Sequence, residues 1–322
     1  MCISELNEKA FISFFCCIKS ILNKQTNYMK IGFTLKPSNA QIDDFREQLV
    51  FFEEIGVGSV EIPLYELDVL CGKKIVQHEL KFLQETLKPS NLNFSLHGSM
   101  SVNLMDEEYL DDHIEILKRD IEVSEAINSK ILVTHFGYIN IEDYKNKEKY
   151  KKLLQNQTEI YFKMAEYAKS HGVTLAIENI FPFTPSSYAP LPSEIAKEIL
   201  LINHPNAKTT IDFSHAYLNC THNKVDFIEQ IRTMVPITQH LHIHDSFGKL
   251  KKMDTYMHSE DVTYGQGDIH LPLGWGDIPF QKIFSTFSFS SDIFLNFELS
   301  TRYKRYYQSN YEYAKKLILL MK

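Results

Sequence analysis

Histidines and carboxylates recur in this chain where short apolar runs come to an end. The runs have the length and the β-branched content of buried strands, and six of them close on His, Asp or Glu. The residues that share this placement, with two residues of a long loop, are His97, His135, Glu178, Asp212, His215, His242, Asp268, His270 and Glu298. Imidazole and carboxylate are the ligands that ions such as Zn²⁺ and Mn²⁺ take in proteins. The pattern therefore predicts a divalent metal site.

Each of these residues also has a simpler interpretation when it is taken alone. A lone histidine at a strand end is more often a hydrogen-bonded core residue than a ligand, and a lone carboxylate there commonly caps the next helix. Convergence of the set is what favours a metal. Glu178, Asp212 and Glu298 would repel one another at close range unless a cation lay between them.

The elements that must position these residues form a repeating pattern from Met29 onward, in which apolar runs alternate with longer amphipathic stretches. The predicted strands lie near residues 29–34, 59–63, 92–96, 130–134, 174–178, 208–212, 237–243 and 293–298. The predicted helices lie near residues 39–54, 75–87, 106–127, 148–171, 193–202, 225–234, 279–286 and 307–321. Eight such pairs predict an α/β fold, a single-domain (β/α)₈ barrel over 29–322, with an open doubly wound sheet as the alternative. In such a barrel the carboxyl ends of all strands meet at one face, which carries the active site.

Three histidines share one face of the seventh predicted strand, because side chains alternate with a period of two. They are His240, His242 and His244. At most two of them can reach a metal at the strand ends. We expect His240 to pack deeper in the barrel, and His244 and Asp245 to support the ligands from behind.

The connection from the seventh strand to the helix before the eighth strand is unusually long, at about thirty-five residues. It contains Asp268 and His270. Long loops in compact domains are usually functional, which agrees with two candidate ligands lying there.

Composition and charge limit the partners and the location of the protein. The 34 basic and 41 acidic residues give a net charge of −7, so no global positive field attracts nucleic acid or an anionic membrane.

Residues 1–28 are predicted to form a disordered or loosely packed extension, with a second possible start at Met29. Its apolar run, residues 10–18, is too short to span a bilayer and follows Glu5 and Glu8. We therefore expect a cytoplasmic protein, a signal peptide being the alternative for this segment. The five cysteines suggest no disulfide framework, and the sequence indicates no oligomeric state.

From Met29 to the C-terminus the sequence resembles the xylose isomerase-like barrels, which include sugar and sugar-phosphate isomerases and epimerases and endonucleases of the endonuclease IV type. In this superfamily a Glu, an Asp, a His and a Glu from strands five to eight bind a shared ion. By motif these residues look like Glu178, Asp212, His242 and Glu298. The endonuclease branch adds five ligands for a three-zinc site, and the candidates for them are His97, His135, His215, Asp268 and His270.

The sequence departs from the endonuclease branch at three places. Phe33–Pro37 replaces a His-containing turn, residues 180–185 replace a Gly-rich stretch, and Met100 replaces an aromatic wedge. Residues 268–278 also look like the corresponding loop of many isomerase-type members. With the negative net charge, these departures argue against duplex DNA as a partner.

The resemblance implies two mechanisms. In a sugar or sugar-phosphate isomerase or epimerase, one ion polarises the substrate while Glu178 and Glu298 exchange a proton with carbon. In a phosphoesterase, three ions clamp a phosphate ester. His97, His135 and Glu178 would hold the first ion, Asp212, His242 and Glu298 the second, which shares Glu178, and His215, Asp268 and His270 the third. We favour the first mechanism, with one to three Zn or Mn ions per chain as cofactors.

Further hypotheses concern the basic cluster after the eighth strand and two other functions. Arg302, Lys304 and Arg305 are candidates to bind a substrate phosphate, or else a solvated helix start. A catalytically inactive binding barrel would lack core ligands, and this chain has all four. A multinuclear iron oxidase is a further alternative, because these ligands also bind iron.

Overall fold

The computed structural model describes residues 29–38 and 41–321, so the predicted N-terminal extension lies outside the described residues and stays a prediction. Eight parallel strands form a closed barrel. The barrel strands are β1 (Lys30–Thr34), β2 (Ser59–Pro63), β3 (Asn93–His97), β4 (Ile131–His135), β5 (Thr174–Glu178), β6 (Ala207–Asp212), β7 (Thr238–Ile243) and β8 (Phe294–Phe297). Their bounds agree closely with the predicted strands.

Each barrel strand pairs with its neighbours in chain order, and β8 pairs in parallel with β1. Lys30 lies opposite Phe294, and Phe33 lies opposite Phe297. This pairing closes the sheet, so the predicted (β/α)₈ barrel is confirmed and the open-sheet alternative is wrong. Two short antiparallel pairs lie outside the barrel, Leu70–Cys71 with Lys74–Ile75 and Ile139–Asn140 with Ser187–Tyr188.

Helices follow the barrel strands and cover their outer face. They are α1 (Asp44–Ile55), α2 (Gln77–Leu87), α3 (Leu110–Ala126), α4 (Ile141–Lys145), α5 (Lys147–Ser170), α6 (Pro192–Ile202), α7 (Phe213–Asn223), α8 (Phe227–Arg232), α9 (His258–Tyr264), α10 (Phe280–Thr286) and α11 (Tyr307–Ile318). The sequence did not predict α4, α7 or α9. Within the described ranges, no helix combines the length and the apolar character needed to cross a membrane.

Aromatic rings join the first and last strands to the helices outside them. The ring of Phe33 on β1 stacks on Phe297 of β8, Phe52 of α1 and Tyr307 of α11, at centroid distances of 4.8, 5.1 and 4.9 Å. Phe33 is fully buried. We call this contact between β1, β8 and the two helices the seam, and its buried rings belong to the main hydrophobic core.

The long connection after β7 is tied back to the barrel by Asp245. Its carboxylate accepts hydrogen bonds from the backbone amides of Gly274, Gly276 and Ile278, at 2.8, 2.9 and 3.2 Å. Asp245 also forms a backbone bridge to Leu271. Asp245 therefore fixes the loop. Within the described residues its carboxylate accepts hydrogen bonds from backbone amides and from no imidazole, so it does not orient a ligand imidazole as we expected.

Candidate metal centre

All nine predicted residues lie at or just past the carboxyl ends of the barrel strands, His215 in the first turn of α7, or in the loop above them, a region we call the rim. Glu178, the last residue of β5, lies at the middle of the set and is fully buried. Its Oε1 lies 3.1 Å from Nδ1 of His215 and 3.2 Å from Nδ1 of His242. Its Oε2 lies 3.4 Å from Nε2 of His97 and 3.6 Å from Nε2 of His135. The convergence predicted for the strand ends is therefore present.

Four residues from β5 to β8 face a common point, which we call the core cluster: Glu178, Asp212, His242 and Glu298. Nδ1 of His242 lies 3.8 Å from Oδ2 of Asp212 and 3.5 Å from Oε2 of Glu298. The other oxygen of Asp212 accepts a hydrogen bond from the backbone amide of His215 at 2.7 Å and caps α7. Asp212 thus caps a helix and also directs one oxygen at the cluster.

His97 and His135 form a second cluster with Glu178. Nδ1 of His97 lies 3.1 Å from the carbonyl of Gly98, and Nδ1 of His135 lies 3.2 Å from the carbonyl of Met100. These contacts leave Nε2 of both rings facing Oε2 of Glu178. That oxygen is buried and receives no hydrogen bond from the part of the chain that the structure describes. A buried carboxylate oxygen with two imidazoles around it fits a divalent cation.

A third cluster surrounds Asp268 in the long loop. Oδ2 of Asp268 lies 2.8 Å from Nε2 of His270 and 3.3 Å from Nε2 of His215. His244, which we expected to act only in support, lies inside this cluster: its Nδ1 is 3.7 Å from Oδ1 of Asp268. Ligand atoms of His244, Asp268 and His270 all lie within 4.8 Å of one another. The side chain of His244 therefore belongs with the candidate ligands.

The electrostatics of the rim keep the carboxylates of Glu178 and Asp268 ionised. Burial would raise the pKa of Glu178, but the charge of His242 and the hydrogen bond from His215 hold it well below its usual range. The pKa of Asp268 is likewise far below normal, because nearby imidazoles, His270 first among them, outweigh burial. In these clusters protonated imidazoles balance the carboxylates, and a divalent ion can take over that balance.

Sequence reasoning missed a buried carboxylate below the rim, Glu61 of β2. Burial would raise the pKa of Glu61, but the charge of His242 and the hydrogen bond from His240 hold it well below its usual range. His240 is fully buried next to it, as expected, with Nε2 3.2 Å from Oε2 of Glu61. An acidic residue inside an apolar strand was the available signal, but it lies away from the strand end, where ligands were expected.

The rim opens into a cavity of about 460 Å³. Tyr65, Phe181 and Phe183 contribute aromatic surface to its wall. Lys36 is the one lysine or arginine among the described residues that line it. The predicted phosphate ligands Arg302, Lys304 and Arg305 line a separate cavity beside Trp275. The structure therefore does not bring that basic cluster into the rim cavity.

Solved structures with the same fold include several of low sequence identity. A D-tagatose 3-epimerase-like protein shares 19% identity and a TM-score of 0.67, over 91% of this chain and 98% of that one. A D-psicose 3-epimerase from Clostridium cellulolyticum, solved with D-tagatose, shares 13% identity and a TM-score of 0.64, over 90% and 99% of the two chains. A Thermus thermophilus protein soaked with ZnCl₂ shares 15% identity and a TM-score of 0.62, over 90% and 98%. At these identities the likeness shows the fold.

Sequence comparison gives the family directly. No protein with a curated description matches the chain significantly. The sequence profile of the family described as xylose isomerase-like TIM barrel matches residues 50–317, which is most of the chain. The chain therefore belongs to the xylose isomerase-like TIM barrel family.

Proposed function

We propose that this protein is a divalent-metal-dependent isomerase or epimerase acting on a sugar or sugar phosphate. The observation that carries the proposal is the position of two carboxylates beside one imidazole. Nδ1 of His242 lies 3.2 Å from Oε1 of Glu178 and 3.5 Å from Oε2 of Glu298. Two carboxylates on one small cavity can remove a proton from a substrate carbon and return it to the carbon skeleton.

The donor set of the core cluster fits a divalent ion such as Zn²⁺ or Mn²⁺. Held by Glu178, Asp212, His242 and Glu298, such an ion would polarise adjacent carbonyl and hydroxyl oxygens of a substrate. Glu178 and Glu298 would then act as the acid and base that move the proton. The aromatic side chains Tyr65 and Phe181 offer apolar surface for the C–H faces of a sugar ring.

The size of the cavity and the similar structures support a small sugar as the substrate. A cavity of about 460 Å³ lies within the range of ordinary small-molecule sites. The structural neighbours described above include sugar 3-epimerases, one of them solved with D-tagatose. Lys36, the one lysine or arginine among the described residues that line the cavity, can meet a phosphate or hydroxyl group.

The test is proton exchange at carbon. The purified protein, loaded with Mn²⁺ or Zn²⁺, is incubated in D₂O with a panel of ketohexoses and their phosphates, and NMR follows deuterium entering C–H positions. We expect exchange and a new isomer with at least one sugar. Glu178→Gln and Glu298→Gln should each reduce the rate by about 10²–10⁴-fold. Glu312→Gln, an exposed residue of α11, is the matched control and should leave the rate unchanged. Absence of exchange with the whole panel would overturn the proposal.

A second candidate function is a trinuclear phosphoesterase, as the resemblance implied. The observation that favours it is that the two outer clusters already place imidazoles around Glu178 and Asp268. Hydrolysis of bis(p-nitrophenyl) phosphate that depends on both His97 and His270 would select this candidate. A protein that exchanges no sugar proton and shows no such hydrolysis would give no support to the phosphoesterase.

A further inference from the structure

A carboxylate inside the barrel contacts His242 on the side of its ring away from the core cluster. Both oxygens of Glu61 lie 3.2 Å from Nε2 of His242. Glu61 and His242 are each fully buried. The contact therefore lies beneath the rim, out of reach of solvent.

Glu61 itself is held in place from three other strands. Oγ1 of Thr34 on β1 and Nδ2 of Asn296 on β8 donate to Oε1, at 3.2 and 3.1 Å. Oγ of Ser95 on β3 donates to Oε2 at 3.3 Å. With β2 supplying Glu61 itself, four strands fix the orientation of one carboxylate. A group held in this way can direct its neighbour.

The rim histidines show what such a contact does. Nδ1 of His97, His135 and His270 each lies against a backbone carbonyl, so Nε2 is left for the rim. His242 has the opposite arrangement: a carboxylate lies at Nε2, and Nδ1 faces Glu178 and Glu298. An ionised carboxylate only accepts hydrogen bonds, so Nε2 must carry the hydrogen.

We infer that Glu61 is a positioning residue that fixes the ring of His242 and makes Nδ1 the nitrogen presented to the metal. The inference rests on the proposed metal-dependent function. Partners behind a ligand imidazole commonly set its tautomer and its affinity for the metal. A purely structural role would be to balance the charge of His242 beside the buried His240, and that role would affect folding without changing the metal environment.

The test compares Co²⁺ binding by the full chain and by Glu61→Gln, using chelator competition for affinity and visible absorption for ligand geometry. We expect the variant to lose roughly 10–100-fold in affinity and to show an altered Co²⁺ spectrum. Glu198→Gln is the matched control, because Glu198 is a buried carboxylate bonded to Thr158, away from the rim. The control should keep the affinity and spectrum of the unchanged chain.

A second variant decides the matter if Glu61→Gln does not fold. Thr34→Val keeps the shape of the side chain and removes one donor to Glu61, so we expect a smaller loss of affinity in the same direction. Unchanged Co²⁺ affinity and spectrum in a folded variant overturn the inference and leave the proposed function intact. No Co²⁺ binding by the unchanged chain overturns both. A loss of affinity in a protein that exchanges no sugar proton supports the inference and rejects the proposed reaction.

Discussion

At the scale of residues, the outer histidines of the rim differ in how readily they can lose a proton. Burial lowers the pKa of His135 to about 4. Burial would also lower the pKa of His270, but the Asp268 carboxylate, 2.8 Å from its Nε2, raises it to about 9. At neutral pH His135 is therefore neutral, while His270 in the metal-free protein is protonated. An ion at the third cluster must displace that proton.

This difference predicts the pH dependence of metal uptake at the third cluster when zinc is added beyond the one ion that we predict for the core cluster. Because the pKa of His270 is raised, zinc affinity there should increase as the pH rises toward about 9 and level off above it. Zinc titration in weak buffer near neutral pH should release a proton, and His270→Ala should release fewer. His135→Ala is the comparison, and its proton release should match that of the unchanged chain. Equal release by both variants would contradict the assignment.

The convergence of the candidate ligands could be foreseen from the sequence because their placement follows a simple geometric rule. Carboxyl ends of parallel strands meet at one face, so a His or a carboxylate that closes an apolar run must lie there. Glu61 and His244 escaped this rule. Glu61 lies within a strand, and whether His244 is a ligand depends on the path of the loop that brings Asp268 over it. Both roles depend on contacts between residues that are far apart in the sequence.

At the scale of elements, the seam between β1 and β8 is expected to contribute strongly to stability. Phe33→Ala removes a fully buried ring that contacts both strands and two helices, so we predict a loss of about 3–5 kcal/mol in the free energy of unfolding. Urea denaturation measures it. Phe51→Ala, at a ring that is 39% exposed, is the control and should cost about 1 kcal/mol or less. A loss of that small size for Phe33→Ala would show that the seam is not part of the stabilising core.

The loop after β7 gives a second prediction at this scale. Asp245→Ala leaves the amides of Gly274, Gly276 and Ile278 without their acceptor, at a cost of about 3 kcal/mol. We expect faster limited proteolysis within the loop and weaker zinc binding at the third cluster, with an unchanged circular dichroism spectrum. Asp254→Ala, an exposed position in the same connection, should behave like the unchanged chain. Equal proteolysis of the two variants would argue against this role for Asp245.

The elements themselves were predictable to different extents. The strands were foreseen almost to the residue, because buried parallel strands are continuous apolar runs. Helix α7 was not, since its sequence carries polar residues such as Asn219 on buried positions and lacks a clear apolar period. The helix begins where the carboxylate of Asp212 caps it. The sequence suggests that a carboxylate at a strand end can cap the next helix, but it does not show which carboxylate does so.

At the scale of the whole molecule, net charge and the rim cavity together favour a small substrate. The chain carries a charge of −7, and the basic residues after β8 lie beside a different cavity. We predict no measurable binding to duplex DNA containing an abasic site, followed by fluorescence anisotropy at low salt. Tight binding with a steep salt dependence, or nicking of the duplex, would instead favour the endonuclease-like alternative.

Everything proposed for the rim depends on a divalent metal centre built on the core cluster. Elemental analysis of protein purified without chelator, with His97→Ala, His270→Ala and Glu178→Ala in parallel, reports on that centre without assuming a substrate. We predict about one ion per chain, kept in the two histidine variants and lost in Glu178→Ala. About three ions, falling in both histidine variants, would favour the phosphoesterase. No bound metal, even after reconstitution, would contradict a metal centre at the rim.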